Sequence, residues 1–250
     1  MPEGSQRRAL GSRVAPRAER ESVTTDNCLM TWVKICGITN LEDALVAVDA
    51  GADAVGFVFH EKSPRKVDVK TAQAIVAELP ARVEKVGVFV EQSADVIREI
   101  AKRTGLTIVQ VPAGAAGELL KALARAKSKI PKLVLAIPAD QVQESFFIGE
   151  ELKKETYAVL IDSGSAAAPG GTGTTFDWQK KRDILRSIGS TIPVVIAGGL
   201  RSTNVSEAIG TFRSFGVDVA SGVEAKPGKK DPEKVRAFMR AVREKDQKAG

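Results

Sequence analysis

Short apolar runs recur at intervals of about 20–30 residues along this chain from Thr31 onward, and stretches of helical period separate them. The runs are nearly continuous in Val, Ile, Ala and Phe, which is typical of strands that are buried on both faces of a parallel sheet. We therefore predict strands over Val33–Cys36, Ala54–Phe59, Glu84–Phe89, Thr107–Val111, Leu133–Ile137, Ala158–Asp162, Val194–Ala197 and Val217–Ala220.

Helix-capping residues bracket the stretches between these runs. Asn40 precedes an amphipathic stretch that closes at Gly51, as an N-cap and a C-terminal glycine would. Helices are also predicted over Asp68–Leu79 and Ser93–Thr104, each followed at once by a helix-breaking residue. Asp231, with proline at the next position, predicts the start of the last helix.

The alternation of strands and helices predicts the fold class. Eight strands, each followed by a helix, indicate an α/β protein with a single (β/α)8 TIM barrel, a fold of about 250 residues. A doubly wound open sheet is the alternative. That fold more often carries a glycine-rich turn after its first strand, where this chain has only Gly37.

Residues 1–30 do not share this pattern. They are rich in Arg, Ser, Glu and Ala without apolar periodicity, which predicts a disordered N-terminal extension ahead of a barrel domain over 31–250. The segment lacks the apolar stretch of a secretory signal, and its acidic residues argue against a transit peptide. Met30 could itself begin the compact domain.

The composition narrows the class of partner. Hydrophobic residues make up 43% of the chain and charged residues 27%, as in ordinary globular proteins. No apolar run approaches the ~20 residues that span a bilayer, so no membrane partner is expected. The net charge is +6, but aromatic residues are only 5% and no dense Lys/Arg stripe occurs, so we expect no nucleic-acid partner. An anionic small substrate fits the charge equally well.

Cysteine and histidine are scarce. Cys28 and Cys36 are the two cysteines and His60 is the one histidine. Two cysteines so close in sequence suggest no disulfide framework, which favours a reducing compartment, and we expect a cytoplasmic protein. Neither cysteine has the spacing to histidine of a metal site, so no metal is expected.

Cys36 stands where α/β proteins place their chemistry. It ends the first predicted strand, in Val-Lys-Ile-Cys-Gly-Ile-Thr-Asn, just before a predicted helix. A thiol there is either a small core residue or a reacting group. A thiol acting as a base must ionise, and Lys34, on the same side of the strand, could favour that. An inward lysine needs an anionic partner, for which Asp53, Glu84 and Asp218 are candidates.

Asp162 ends the sixth predicted strand. It could be a turn or capping aspartate, or a general acid or base facing the barrel mouth. Around a closed barrel, Asp162 and Cys36 point across the same mouth. Two titratable groups facing one substrate suggest proton transfer, and an isomerisation next to a masked carbonyl is the natural class.

Three glycine-rich segments follow the sixth, seventh and eighth strands. Glycine lets backbone N–H groups approach an anion, and the loops after strands seven and eight commonly form a phosphate site in barrels. Each segment alone is weak evidence, but together they predict phosphate binding. The candidate phosphate residues are Gly171, Thr172, Gly173, Gly198, Gly199, Ser221 and Gly222.

These motifs, taken in order, resemble one family. The chain is similar to phosphoribosylanthranilate isomerase of tryptophan biosynthesis from Val33 to the final helix. The resemblance rests on Val33–Thr39, Gly51–Phe59, Ser63–Arg65, Val86–Val90, Gly170–Gly173, Phe176–Trp178, Ala197–Leu200 and Val217–Glu224.

The resemblance implies a (β/α)8 barrel that performs an Amadori rearrangement without a cofactor. Asp162 matches the family's general acid, which opens the furanose ring, and Cys36 matches the general base, which removes the C2 proton of the sugar. Arg65 matches the arginine that binds the anthranilate carboxylate, a role that suits a planar guanidinium. The glycine segments would hold the phosphate. Family members are monomers, dimers or fused enzymes, so we expect a monomer or a homodimer.

One motif departs from the family. The fourth strand usually ends Gln-Leu-His-Gly there, whereas this chain has Gln110-Val-Pro112-Ala. Proline has neither a side-chain donor nor an N–H group, which puts the affinity for the anthranilate ring in doubt. We expect His60 to be a surface residue that does not replace the missing histidine.

Two other functions stay open on the sequence. A sugar-phosphate isomerase of histidine biosynthesis resembles this chain in its late phosphate loops but uses two aspartates, against which Cys36 argues. A ligand-binding barrel that has lost activity is suggested by Pro112.

Overall fold

The computed structural model describes residues 30–125, 131–143, 149–164 and 175–248. The predicted N-terminal extension lies outside this range, apart from Met30. Three predicted phosphate residues, Gly171, Thr172 and Gly173, also lie outside the described residues.

Eight parallel strands close into a barrel in chain order, with β1 pairing β8. The barrel fold predicted from the sequence is therefore confirmed, and each strand lies within two residues of its predicted bounds. The strands are β1 Trp32–Cys36, β2 Ala54–Val58, β3 Glu84–Val88, β4 Ile108–Pro112, β5 Lys132–Pro138, β6 Thr156–Asp162, β7 Val194–Ile196 and β8 Gly216–Val219.

Helices follow the strands and surround the barrel. A hairpin that the apolar pattern did not predict, β9 Glu224–Lys226 and β10 Lys229–Lys230, comes between β8 and the last helix. The helices are α1 Leu41–Asp49, α2 Val69–Glu78, α3 Ala94–Thr104, α4 Ala116–Arg125, α5 Glu150–Glu155, α6 Trp178–Gly189, α7 Val205–Phe212 and α8 Pro232–Gln247.

Capping side chains start the helices where the sequence predicts. The Asn40 Oδ1 accepts the N–H of Asp43 at 2.9 Å, and the Asp231 Oδ1 accepts the N–H of Glu233 at the same distance. Each such bond satisfies a backbone donor that the first helical turn leaves free. In the part of the chain that the structure describes, no helix is long and apolar enough to cross a bilayer.

Alternate residues of each strand face opposite sides of the barrel wall. One set packs against the helices and forms the large outer core, which includes Ile35, Phe57 and Leu135. The other set fills the barrel interior with a smaller cluster of Ala54, Val86, Ile108, Val134, Ala158, Leu160, Val195 and Ala197. Above this apolar floor, towards the carboxyl ends of the strands, several inward residues are polar, among them Lys34, Gln110 and Asp218.

Candidate active site

Cys36 and Asp162 both end strands on the inner face of the barrel. Cys36 pairs with Gly56 of β2 across the ladder, and Asp162 pairs with Pro138 of β5. Both follow the parity of the interior cluster, because Ala54 precedes Gly56 by two residues and Leu160 precedes Asp162 by two. The two residues therefore face the same mouth, as predicted from the sequence.

The Cys36 thiol is buried, with 7% of its surface exposed. Burial raises its pKa above the ordinary value of a thiol, because a thiolate loses water there. Lys34 and Lys230 oppose this shift, and Asp218 adds to it. The sulfur thus lies in a largely dry site between charges of both signs.

Lys34 crosses the barrel interior beside Cys36. Its Nζ lies 2.9 Å from Asp218 Oδ1 on β8 and donates to Gln110 Oε1 on β4 at 3.0 Å. Among the three carboxylates that the sequence offered, Asp218 is the partner of Lys34. Asp53 instead accepts the N–H of Val33 and pairs with Arg243, while Glu84 pairs with Lys132.

The Asp162 carboxylate sits at intermediate exposure and accepts the N–H of Gly164 at 2.6 Å. Burial raises its pKa above the usual range; the Gly164 hydrogen bond opposes that shift, and the Asp218 charge adds to it. A carboxyl group with a raised pKa keeps its proton to higher pH, which is what a general acid requires.

Arg65 lies in the loop after β2 and is held by a carboxylate of the β9–β10 hairpin. Its Nε and Nη2 each donate to Glu224, both at 2.8 Å. Glu224 also accepts from Lys230 Nζ at 3.0 Å. Two of the five N–H donors of the guanidinium are thus occupied, and the fork is fixed in orientation.

Glycine turns follow β7 and β8. Gly198 adopts φ +84°, and a Cβ there would lie 2.1 Å from Ser163 Oγ. A Cβ on Gly222 would lie 1.8 Å from the carbonyl oxygen of Leu200. Ser221 and Gly222 begin a short 3-10 turn over Ser221–Val223, which approaches the backbone of Leu200, the residue after the Gly198-Gly199 turn. Only glycine permits this close approach of two backbones.

Two further residues near the mouth bear on the sequence expectations. Pro112 is the last residue of β4, two positions beyond Gln110, and is partly exposed. It therefore lies on the inner face, with neither an N–H nor a polar side chain to offer. His60 is partly buried rather than a surface residue, and its Nδ1 is buried with no hydrogen-bond partner among the described residues.

Gln110, Glu224 and Lys230 complete the site but were not assigned a role from the sequence, and Asp218 was only one of three candidate partners for Lys34. Asp218 left a usable signal, since a carboxylate interrupts the apolar run of β8 at an inward position. Lys230 gave no such signal in the sequence, because it lies beyond the barrel strands in a two-residue β element. Within the described ranges, no group of three or more His, Cys, Asp or Glu side chains is placed to hold a metal ion.

Comparison with known proteins gives a consistent result. A family model described as N-(5′-phosphoribosyl)anthranilate (PRA) isomerase matches residues 33–241. The N-(5′-phosphoribosyl)anthranilate isomerase of Pelobacter propionicus is 43% identical over 215 residues, which cover 86% of this chain and 97% of that protein.

Solved structures agree with the sequence comparison. A phosphoribosyl anthranilate isomerase in complex with reduced 1-(o-carboxyphenylamino)-1-deoxyribulose 5-phosphate is similar with a TM-score of 0.68 at 37% identity. Monomers of the dimeric isomerase from Thermotoga maritima are similar with a TM-score of 0.67 at 35% identity. Both matches cover 86% of this chain and 100% of the other.

Proposed function

The chain belongs to the N-(5′-phosphoribosyl)anthranilate isomerase family, and we propose that Cys36 and Asp162 are the base and the acid of its reaction. The protein is an aldose–ketose isomerase of tryptophan biosynthesis. It converts N-(5-phosphoribosyl)anthranilate to 1-(2-carboxyphenylamino)-1-deoxyribulose 5-phosphate. Its small-molecule partner is therefore phosphorylated.

The acid acts first. The Asp162 carboxyl donates its proton to the furanose ring oxygen, the C1–O bond breaks, and the nitrogen lone pair forms a Schiff base at C1. The raised pKa of Asp162 supports this role, because it increases the protonated fraction near neutral pH. The Gly164 N–H bond holds the carboxyl group in place while it transfers its proton.

The base acts second. The Cys36 thiolate takes the proton from C2, and the electron pair moves into a C1–C2 double bond to give an enolamine, which tautomerises to the ketone. The position of Cys36 at the end of β1, on the same mouth as Asp162, supports this assignment. The neighbouring ammonium of Lys34 supports formation of the thiolate.

Arg65 is the proposed site for the anthranilate carboxylate. Glu224 holds its Nε and Nη2, which leaves Nη1 available to a planar carboxylate. Arg65 and Lys230 share the single carboxylate of Glu224, so the cluster keeps one net positive charge for an anionic substrate. Pro112, on the same rim, offers this substrate an apolar ring surface instead of a hydrogen bond.

The phosphate is proposed to bind at the carboxyl ends of β7 and β8. Gly198, Gly199, Ser221 and Gly222 place bare backbone there, and N–H groups in such turns attract anions. On the sequence alone, we propose that Gly171, Thr172 and Gly173 bind the same phosphate. The proposed steps involve no cofactor.

Gly222→Ala should raise KM for the substrate by about 10–100-fold, the worth of a hydrogen bond to a charged group. The new Cβ would fall 1.8 Å from the Leu200 carbonyl, so one of the two turns must move. Steady-state kinetics and competition by inorganic phosphate measure the effect. Gly189→Ala is the control, because a Cβ there makes only an ordinary contact at 3.8 Å. Equal KM values in the two variants would remove Gly222 from the phosphate site.

These roles rest on one observation: Cys36 and Asp162 face the same mouth of the barrel, and the charges of Lys34 and Asp218 act on both. The decisive experiment is turnover of phosphoribosylanthranilate, followed by the loss of its fluorescence. A folded protein that binds the reduced product analogue without turnover would be the inactive barrel. Turnover of the aminoaldose phosphate of histidine biosynthesis alone would favour the second isomerase, which the comparisons do not favour.

We propose a monomer or a homodimer that acts in the cytoplasm on its small substrate and binds no nucleic acid. The similarity to monomers of a dimeric relative is compatible with either state. Light scattering of the full chain would distinguish them.

A further inference from the structure

Lys34 is a charged residue in the barrel interior, where packing alone does not require a charge. Only 1% of it is exposed, and its side chain lies inside the barrel above an apolar floor. An apolar side chain of similar length would fill that space without the desolvation that an ammonium suffers. The charge itself therefore calls for an explanation beyond packing.

The position of the ammonium is fixed from two sides of the barrel. Asp218 reaches it from β8 and Gln110 from β4, strands on opposite sides of the axis. Asp218 Oδ1 meets the ammonium as an ion pair at 2.9 Å without forming a hydrogen bond of regular geometry. An ammonium has three N–H groups, so at least one is left for a third partner.

The Cys36 sulfur lies beside the Lys34 side chain. Cys36 and Lys34 project from the same face of β1, and both cross over Gly56 of the neighbouring strand. A Cβ on Gly56 would lie 2.8 Å from the Cys36 Sγ and 3.0 Å from the Lys34 Cε, so the two side chains meet where Gly56 has none. The Lys34 ammonium lowers the pKa of the Cys36 thiol, against the effect of burial.

Other charges also face Cys36 from the elements around it. Lys230 of β10 and Arg65 of the loop after β2 contribute positive charge, and each is paired with Glu224. Asp218 of β8 contributes negative charge. Asp162 interacts with both Asp218 and Lys34. The ammonium and carboxylate of the central pair thus act on both proposed proton-transfer groups.

We propose that the Lys34–Asp218 ion pair is a positioning device for Cys36, in which Asp218 and Gln110 fix the ammonium and the ammonium stabilises the thiolate. The inference builds on the proposed function, in which Cys36 is the base. Lys34 and Asp218 act through Cys36 and are positioning residues. The pair is nearly neutral as a whole, so removing either member exposes the charge of the other.

Two substitutions should therefore shift the thiol in opposite directions. Lys34→Met keeps the chain length and leaves the Asp218 carboxylate, which disfavours the thiolate. Asp218→Asn keeps the shape and leaves the ammonium, still held by Gln110, which favours the thiolate. One charge at this range changes the thiolate fraction at a fixed pH by about tenfold or more. A packing defect would not give opposite signs.

The test measures the thiol directly, without turnover. In a Cys28→Ser background Cys36 is the sole thiol, because the chain has two cysteines. The pH dependence of thiolate absorbance and of alkylation by iodoacetamide gives the thiolate fraction. We expect about a tenfold smaller fraction in Lys34→Met and a larger fraction in Asp218→Asn. In steady-state kinetics, the acidic limb and the alkaline limb of the pH–rate profile should both move to higher pH in Lys34→Met. Both should move to lower pH in Asp218→Asn.

Two controls make the result decisive. Lys85→Met removes another buried lysine, one that donates to the Pro80 carbonyl, away from the site, and should leave the thiol unchanged. Lys34→Arg should retain most of the thiolate. Shifts of the same sign in both test variants, or no shift, would overturn the proposal. If Lys34→Met does not fold, the direction of the shift in Asp218→Asn decides alone. If the shifts appear while Cys36→Ser still turns over, the proposed base is wrong and the ion pair's role stands.

Discussion

Asp162→Asn is expected to lower kcat by ~10²–10⁴-fold, the usual contribution of a general acid. An asparagine amide has the same shape and can still accept the Gly164 N–H, but it has no proton to give to the ring oxygen. KM should change little, because the lost interaction is made only in the transition state. Fluorescence-monitored turnover gives kcat, and circular dichroism with thermal unfolding establishes that the variant is folded.

The matched control for this variant is Asp140→Asn. Asp140 is an exposed carboxylate in the turn after β5, two residues beyond the strand partner of Asp162. Removing its charge should leave kcat within a factor of about two, since exposed surface changes are usually small. If Asp162→Asn turned over as fast as Asp140→Asn, the acid would have to be sought elsewhere on the mouth.

The pH dependence of turnover by the native enzyme also tests the roles of Asp162 and Cys36. Turnover needs Asp162 protonated and Cys36 ionised at once, yet the ordinary carboxyl pKa lies about five units below that of a thiol. Burial raises the pKa of both groups. The productive form is then a minor species whose population rises up to the pKa of Asp162, stays level, and falls above the pKa of Cys36. The acidic limb therefore belongs to the acid and the alkaline limb to the base.

The barrel was predictable because its strands are short apolar runs with no polar alternation, bounded by capping residues. Asn40 and Asp231 start helices where expected, since a cap is a local interaction. The β9–β10 hairpin was not predicted, because two strands of two or three residues leave no apolar period. This hairpin supplies Glu224, the partner of Arg65. The orientation of Arg65 therefore could not be predicted from the sequence either.

The partner of Lys34 shows a different limit. The barrel implies that β8 lies beside β1, but only the register of that closure places Asp218 directly opposite Lys34. Asp53 directly precedes β2 and Glu84 begins β3, whereas Asp218 is the third residue of β8 and lies level with Lys34. Register depends on the packing of the whole interior, so the sequence could name the candidates but not choose among them.

Cys36→Ser is expected to lower kcat by ~10²–10⁴-fold, because a serine hydroxyl does not ionise usefully at physiological pH and cannot remove the C2 proton. Serine is nearly the same size, so the contact over Gly56 is kept and the fold should be unaffected. Cys28→Ser is the matched control and should retain full activity, since position 28 precedes the residues that the family model matches.

The pH dependence of the residual activity separates the role of Cys36 as a base from a loss of packing. With the base gone and Asp162 intact, residual turnover should follow the protonated acid and decline above the pKa of Asp162. In Asp162→Asn it should rise with pH towards the pKa of Cys36, because only the thiolate still matters. A Cys36→Ser enzyme with near-native kcat, or residual activity that rises with pH in both variants, would contradict the assignment of Cys36 as the base.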